Sequence, residues 1–415
     1  MRAAELRPRS DDIIVGIDLA AREHQAVIVG ADGRRLTRFR VPHSRDGIAE
    51  LLRRSRAKSW QATGRVLAFE ATGHVWQALA AILEERGERY VVVNPLAVFR
   101  LREARRMDRT KTDLTDAEQI AELARTGMVT STRPLHGPYL ALRRSWGEYV
   151  RVRFEAARLK SLLRQQLFGL FPELLEVWSR VDRPRLLAVL RLGLTPAQIA
   201  ALPQSEFLTR VCAERGGRRL WRAKVRAAHE KAARSVAPDE RLEAAALEAR
   251  RIVARYDLLE AQLAEVQGEV EALLGEIEEA RWLATIPGLG FASVAGIIAH
   301  TGPIGRYRHG RQLVKLAGTN PTRNETGERT GGYQAMSHRG RAGLRQVAYM
   351  ATISCLAHNV RLRAHYDRLV SRPERPLAKM TALGACMNKL LLWAFAVMSK
   401  RRAFELDHEW KECAA

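Results

Sequence analysis

Four acidic residues stand where a predicted strand ends or a predicted helix begins. Asp18 and Glu70 each close an apolar run, whereas Asp113 and Asp116 lie three residues apart at the head of a helical pattern and so share one helix face. Carboxylates from separate segments are the oxygen ligands that hard divalent cations require. Two such cations about 4 Å apart can activate one oxygen and steady the leaving one during phosphodiester displacement. The four acids therefore predict a metal site for nucleic-acid strand chemistry, although any one of them could instead be a helix cap or a turn residue.

The charge balance points to the same kind of partner. The chain has 415 residues, with 69 Lys and Arg against 46 Asp and Glu, for a formal net charge of +23. Net charge indicates which partners a protein attracts and does not indicate its fold. Nucleic acid is the favoured partner, and a basic-biased proteome or a ribosome-associated protein is the alternative.

Other compositional features bound the class of protein. The four cysteines have no C-x-x-C spacing, so neither a zinc site nor a disulfide framework is predicted. The N-terminus lacks the apolar core of a signal peptide, and no uninterrupted apolar stretch is long enough to span a bilayer. The chain is therefore expected to be soluble and cytoplasmic, nucleoid-associated when bound to DNA, with no membrane partner.

Residues 12–130 alternate between strand and helix patterns. Predicted strands at 13–18, 25–30 and 36–41 form an antiparallel meander, followed by strand 65–69, helix 76–86 and strand 90–93. The helix between the last two strands implies a parallel crossover. A meander followed by β-α-β is the strand order of ribonuclease-H-like domains, so the sequence predicts an α/β domain of the ribonuclease-H or RuvC-like class.

Residues 139–282 are predicted to be helical. Apolar residues recur at three- and four-residue spacing from Leu142 to Leu170, and a second series from Ile252 to Ile277 follows steps of four and three, which is a heptad seam. The outer positions of that seam are rich in glutamate. The seam predicts a coiled-coil arm or a dimer contact; the alternative is a long helix packed within its own domain.

Residues 283–400 form a third, α-helical domain. The segment 286–290 lies between two helical patterns and predicts a helix-hairpin-helix, in which glycines let backbone amides approach a phosphate; an ordinary tight connection is the alternative. The polar loop 318–327 follows. A hydroxyl flanked by glycine and arginines could attack a phosphodiester, or the loop could bind phosphate without any covalent role.

Several basic side chains are predicted to hold the backbone of DNA or RNA, which implies binding that weakens steeply with salt. They are Arg102, Arg105, Arg106, Lys111, Arg306, Arg308, Arg339, Arg341 and Arg345. A lysine at position 111 is also typical of any solvated basic helix. His24 is predicted to be a surface histidine.

Blocks at both ends of the chain resemble those of one protein family. Residues 15–20, 69–74 and 111–117 look like the three sequence blocks of the DEDD transposases, a family that includes bridge-RNA-guided insertion-sequence recombinases and Piv-type DNA invertases. Further matches are Val93-Asn94-Pro95, Ile286-Pro287-Gly288, Gly302-Pro303, Ala317-Gly318, Asn320-Pro321, Ser337-His338-Arg339-Gly340 and Leu344-Arg345. The resemblance covers roughly residues 13–128 and 283–370.

The resemblance implies both an activity and a division of labour. It implies a RuvC-like domain in which Asp18, Glu70, Asp113 and Asp116 bind Mg²⁺, with Mn²⁺ as a substitute. It implies a coiled-coil middle and a C-terminal transposase domain that supplies a hydroxyl nucleophile, with acids and nucleophile coming from different subunits of a homodimer or homotetramer. The implied partners are DNA, as element ends and target, and a structured guide RNA.

One departure from the family pattern concerns the nucleophile. Where the family usually has Ser-Gly, this chain has Thr326-Gly327. Threonine keeps the hydroxyl, but its β-methyl group stiffens χ1 and crowds the attack. Thr326 is the predicted nucleophile, while a slipped alignment or an impaired copy of the enzyme are alternatives, and Ser337 is the nearest serine.

The sequence as a whole predicts an insertion-sequence transposase that cleaves and rejoins DNA. The first alternative is a structure-selective RuvC-like nuclease in which water attacks; such an enzyme needs the four acids but not Thr326. The second is a non-catalytic RNA-binding scaffold whose acids only cap helices.

Overall fold

The computed structural model describes most of the chain in two compact units, Met1–Leu135 and His136–Ala415. The described residues are 8–71, 73, 75–105, 113–130, 132–214, 222–237, 242–322 and 335–406, without the side chains of residues 102, 104, 105 and 113–115.

The first unit is built on a six-stranded sheet of order β3-β2-β1-β4-β5-β6. Its strands are β1 (Asp12–Asp18), β2 (Glu23–Val29), β3 (Arg35–Pro42), β4 (Gly64–Glu70), β5 (Tyr90–Val93) and β6 (Val129–Thr130). Strands β3, β2 and β1 are antiparallel neighbours, whereas β1, β4 and β5 run parallel. The predicted meander and parallel crossover are confirmed. Strand β6, antiparallel to β5, was not predicted because two residues carry no periodic pattern.

Helices cover both faces of this sheet. They are α1 (Arg45–Arg54), α2 (Val75–Glu85), α3 (Pro95–Arg105) and α4 (Asp113–Arg125). Alternate residues of β1 point to opposite faces. Ile13, Val15 and Ile17 therefore join the core under α1 and α2, whereas Ile14 joins the core under α3 and α4. The α/β class predicted for this unit is confirmed.

The described part of the second unit is mainly helical. Its helices are α5 (Gly137–Leu170), α6 (Leu174–Val177), α7 (Pro184–Arg191), α8 (Pro196–Ala201), α9 (Gln204–Ala213), α10 (Arg222–Ala232), α11 (Leu242–Gly275), α12 (Glu278–Leu283), α13 (Phe291–Thr301), α14 (Arg311–Ala317), α15 (Ala342–His358), α16 (Val360–Val370) and α17 (Lys379–Lys400). Two separate hydrophobic cores lie within it, one in residues 156–256 and one that draws on residues 142–149 and 266–404. The long helices α5 and α11 pass through both cores.

The predicted heptad seam is used inside the chain. The first residues of α5, such as Leu142, share a core with Val270 near the end of α11, and the end of α5 shares the other core with Ile252, so the two 34-residue helices pack antiparallel. The seam therefore faces α5 of the same chain, which is the alternative of a long helix packed within its own domain.

The predicted helix-hairpin-helix lies at the connection from α12 to α13. Gly288 has φ of +93°, and a Cβ atom there would lie 2.7 Å from Cα of Cys355 on α15. This glycine thus allows the turn to pack directly on α15, a role that the phosphate interpretation did not include. Gly290, the residue that precedes α13, faces open space.

Among the described residues, only helix α17 is long and apolar enough to cross a membrane. Of its most apolar 18-residue window, 61% is buried inside the unit. Leu390, Leu391 and Val397 are fully enclosed by the surrounding helices, as in the central helix of a helical core.

Candidate active site

Two of the predicted acids meet at one edge of the sheet. Strands β1 and β4 pair in parallel, from Asp12 opposite Gly64 to Ile17 opposite Phe69. Asp18 and Glu70 are the next residues and the last of their strands, and both are partly buried. Because parallel strands finish at the same edge, the two carboxylates leave the sheet side by side.

Helix α4 is held against this edge by a glycine contact. A Cβ atom on Gly16 would overlap the carbonyl oxygen of Ala117 and would lie 2.8 Å from the Cβ of Ala121. Gly16 is two residues before Asp18, and Ala117 directly follows Asp116. The close approach therefore fixes the first turn of α4 beside the end of β1, and Asp116 is only 5% exposed. Asp113 is the first residue of the same helix.

Hydrogen bonds at Asn94 explain where the neighbouring helix α3 begins. Asn94 follows β5 and accepts from the backbone N–H of Leu96 through Oδ1 at 2.9 Å, while its own carbonyl accepts from Val98 at 3.1 Å. Pro95 occupies the first helical position, where it needs no amide partner. The Val93-Asn94-Pro95 block thus starts α3 beside the same sheet edge.

The prediction that His24 is a surface residue is wrong. His24 is fully buried; its Nδ1 accepts from the Ala20 N–H at 3.3 Å, and its Nε2 lies 2.9 Å from Nδ1 of His43. Burial and the nearby His43 lower the pKa of His24 to about 4. The ring is therefore neutral at pH 7 and ties down the loop that follows Asp18.

The donor set at this edge suits a hard divalent cation, since it consists of carboxylate oxygens. Within the described residues, no three Asp, Glu, His or Cys side chains are gathered closely enough to hold a metal ion. The side chain of Asp113 lies outside the described atoms. The chemistry of these side chains therefore fits the predicted divalent metal ion.

The second predicted site is a hairpin whose stem is described. Pro321 pairs with Met336, the Thr322 N–H donates to the Ala335 carbonyl at 2.9 Å, and the Ser337 N–H donates to the Asn320 carbonyl at 2.9 Å. Residues 316–322 and 335–341 thus run antiparallel. The predicted nucleophile, Thr326, belongs to the connection between them and lies outside the described residues.

The stem is anchored to the helices around it. The Ser337 hydroxyl donates to Oδ1 of Asn320 at 2.8 Å, and Nδ2 of Asn388 on α17 donates to the Thr319 carbonyl at 3.2 Å. Gly318, with φ of +68°, leaves room for the backbone of Gly340, whose nitrogen would lie 2.9 Å from an added Cβ. These contacts give Ser337 a role in holding the stem together.

The predicted nucleic-acid contacts fall into different environments. Arg306, Arg308 and Arg339 are exposed. Arg102 and Arg105 lie on α3 with undescribed side chains, while Arg106 and Lys111 are outside the described residues. Arg345 donates to the Ala317 carbonyl at 3.0 Å, at the end of α14.

Arg341 points into the protein and has a partner that the sequence did not reveal. It donates to the His300 carbonyl, and Arg143 donates to the carbonyls of Ala299 and His300 at 2.7 and 3.0 Å. Two guanidinium groups thus cap the negative end of α13. Burial, and then the neighbouring Arg341, lowers the pKa of Arg143 to about 10. Nothing in the local sequence signals this pairing, because the two arginines are far apart along the chain.

Sequence comparisons identify the family of the chain. Residues 15–172 match the transposase family DEDD_Tnp_IS110, and residues 280–367 match the transposase IS116/IS110/IS902 family. The chain belongs to this family of insertion-sequence transposases and is accordingly a DNA transposase or recombinase enzyme.

Individual relatives come from bacterial insertion elements. The chain is 27% identical over 400 residues to the "Insertion element IS116 uncharacterized 44.8 kDa protein" of Streptomyces clavuligerus, covering 93% of this chain and 95% of that protein. It is 30% identical over 218 residues to the "Mini-circle putative transposase for IS117" of Streptomyces coelicolor, half of each chain.

Proposed function

We propose that this transposase cleaves and rejoins DNA with four carboxylates and a threonine hydroxyl. The observation that carries the proposal is the sheet edge where Asp18 and Glu70 end neighbouring parallel strands, with Asp116 held beside them by the contact between Gly16 and Ala117. Asp113, one helical turn before Asp116, completes the set on the same face.

The four acids would hold Mg²⁺, for which Mn²⁺ could substitute. The bound cation would supply charge neutralisation at the reacting phosphate and lower the pKa of a coordinated hydroxyl. Asp18 and Glu70 are oriented for this by the sheet, because their backbones are fixed by the strand pairing, and Asp116 is oriented by a buried helix turn.

The covalent step would use the hydroxyl of Thr326. A bond forms between Thr326 Oγ1 and phosphorus, and the bond from phosphorus to one deoxyribose oxygen breaks. The hydroxyl proton passes to a basic group, and the released oxygen ends as a hydroxyl. Because one ester replaces another, a second DNA end can reverse the step and restore a phosphodiester.

The partners would be DNA, as element ends and target, and a structured guide RNA. Arg306, Arg308 and Arg339 are exposed, and phosphate contacts are proposed for them. The acids of one subunit would act with the nucleophile of another, so that a homodimer or homotetramer is the active form. The domain limits proposed for these roles are 12–130, 139–282 and 283–400.

Isosteric replacement of the acids tests the metal-dependent part of the proposal. Asp18→Asn, Glu70→Gln, Asp113→Asn and Asp116→Asn should each reduce Mg²⁺-dependent strand cleavage by about 100-fold or more, without loss of DNA binding. Glu118→Gln is the matched control, because Glu118 lies on α4 next to the site but pairs with Arg35 at 2.7 Å on the surface. Full cleavage by the four acid variants would contradict the role of these carboxylates, whereas a wild type that binds nucleic acid but shows no Mg²⁺-dependent cleavage would support the non-catalytic scaffold.

A further inference from the structure

The C-terminal region contains an apolar groove that the proposed chemistry does not use. The groove lies between α15 and α17 and has a volume of about 270 Å³. One face of α15 contributes Arg345, Gln346 and Tyr349, and one face of α17 contributes Met380 and Met387. Its volume is just below the range of about 300–1,000 Å³ typical of sites for drug-sized ligands, so the groove suits a smaller ring system.

The floor of the groove is the hairpin stem. Met336, which pairs with Pro321 in the stem, also lines the groove. A Cβ atom on Gly384 of α17 would lie 2.5 Å from the Cε of Met336, so this glycine makes room for the thioether. The groove is therefore built directly onto the stem from which the segment carrying Thr326 extends.

The sequence segments that contribute helices to the groove are strongly basic. Between residues 280 and 366 the sequence has 12 Lys and Arg but only two acids, Glu325 and Glu328. Helix α17, Lys379–Lys400, has three lysines and no acid. In contrast, residues 256–279 have eight acids and no Lys or Arg. This excess of positive charge in the sequence favours a polyanion as partner over a protein helix of ordinary composition.

The lining suits one part of such a polyanion. Tyr349 offers an aromatic face, and Met336, Met380 and Met387 offer polarisable thioethers that adapt to a flat ring. The Gln346 amide at the exposed rim has both donors and an acceptor for the edge of a base. Phosphates bind to the surrounding cations and do not require an apolar groove. An apolar groove with one aromatic ring instead suits a base, which can stack on that ring.

We infer that the groove between α15 and α17 binds one unstacked nucleobase of the DNA strand that reacts at the adjacent hairpin. The inference rests on the proposed function, since it takes DNA strands as the substrate. Seating a base beside the stem fixes the strand along its length, so that the neighbouring phosphate is presented to the hairpin in one register.

Affinity measurements on the wild type and variants test the inference without any strand cleavage. The full chain is titrated, with no divalent metal, with an oligothymidylate of roughly 12 nucleotides and with an all-abasic strand of the same length. The wild type should prefer the strand with bases by about 5- to 100-fold. Tyr349→Leu and Met380→Ala should each lose part of that preference while keeping their affinity for the abasic strand.

The control is a similarly exposed methionine of α15 that does not line the groove. Met350 is 58% exposed and Met380 is 65% exposed, so neither truncation threatens the core. Met350→Ala should keep the full preference for the strand with bases. An unchanged preference in both groove variants, or no preference in the wild type, would overturn the inference, as would a loss of equal size in Met350→Ala.

Cross-linking provides an independent readout. A strand with one 5-iododeoxyuridine, irradiated in the complex, should form an adduct that peptide mapping places on Tyr349 or on a groove methionine; adducts confined to other residues would contradict the inference. A preference for oligouridylate over oligothymidylate would assign the groove to RNA instead. Because Thr326→Ala should keep the base preference, failure of the covalent chemistry is distinguishable from failure of base binding.

Discussion

Gly16 and Ala117 are in such close contact that no side chain can be placed between strand β1 and helix α4. The glycine lies two residues before Asp18, and the alanine carbonyl belongs to the turn that carries Asp116. Because residue 16 has no Cβ atom, helix α4 can approach β1. Asp18 and Asp116, almost 100 residues apart in sequence, therefore lie at one edge of the sheet.

Replacing Gly16 should therefore disturb both stability and activity. Gly16→Ala forces α4 away from β1 and should destabilise the first unit by about 1–3 kcal/mol, as overpacking does elsewhere. It should also reduce cleavage, because Asp116 moves with the helix. Urea unfolding and a cleavage assay measure the two effects.

The matched control for this variant is Gly268→Ala. Gly268 lies on the exposed side of α11, where an added Cβ meets nothing within 4 Å. There the same substitution should stabilise the helix by about 0.5–1 kcal/mol. A Gly16→Ala protein as stable and as active as the wild type would show that the contact does not position α4.

The buried His24 should make stability depend on pH. Its pKa is about 4 in the folded state, against an ordinary value of 6.5. The unfolded chain therefore takes up the proton more readily, so stability is full above pH 6.5 and decreases as the pH falls toward 4. The urea midpoint, followed across this range, should show a smaller decrease for His24→Gln than for the wild type. Equal slopes would mean that His24 does not carry the effect.

Substitutions of the predicted DNA-binding arginines should have two different effects, one on the salt dependence of DNA binding and the other on stability. Arg306→Gln, Arg308→Gln and Arg339→Gln, at exposed positions, should each reduce the slope of log K against log salt by about 0.9 if the residue meets a phosphate. Arg341→Gln should instead lower the free energy of unfolding by about 1.5–3 kcal/mol, because its guanidinium bonds a buried helix end. Salt titrations of DNA binding and thermal melts distinguish the two groups. If Arg341→Gln reduced the salt slope and left stability unchanged, Arg341 would be assigned to phosphate binding and not to the helix end.

Ser337 should matter less than Thr326. Its hydroxyl donates to Asn320 within the hairpin stem, a bond whose loss costs about 0.5–1.5 kcal/mol. Ser337→Ala should therefore weaken recombination without preventing the covalent step. Complete loss of the protein–DNA adduct in Ser337→Ala would instead identify this serine as the nucleophile.

Local patterns in the sequence predicted most of the first unit. Strands β1, β4 and β5 are short apolar runs bounded by turn residues, and their limits follow from composition alone. The position of His24 did not, since its burial depends on His43, 19 residues away. The partner of the heptad seam could not be read from the seam itself, because any apolar helix of matching length satisfies it.

In the candidate sites, too, features set by local sequence were predicted and features set by tertiary contacts were not. The acids were recognised from their places at strand and helix ends, whereas the glycine contact that fixes α4 is a tertiary feature. Gly288 likewise has a packing role against Cys355 that its motif does not encode. Arg143 was missed because a single arginine on a long amphipathic helix has no local feature that distinguishes it from solvated neighbours.

A covalent trap distinguishes attack by the Thr326 hydroxyl from attack by water. Protein purified with RNA co-expressed from its own flanking DNA is given donor DNA, target DNA and Mg²⁺, and the products are run on a denaturing gel before and after protease. We expect a protease-sensitive protein–DNA adduct that is lost in Thr326→Ala and kept in Thr326→Ser and Ser337→Ala. Strand cleavage without any adduct, at full rate in Thr326→Ala, would contradict this expectation and identify a nuclease in which water attacks.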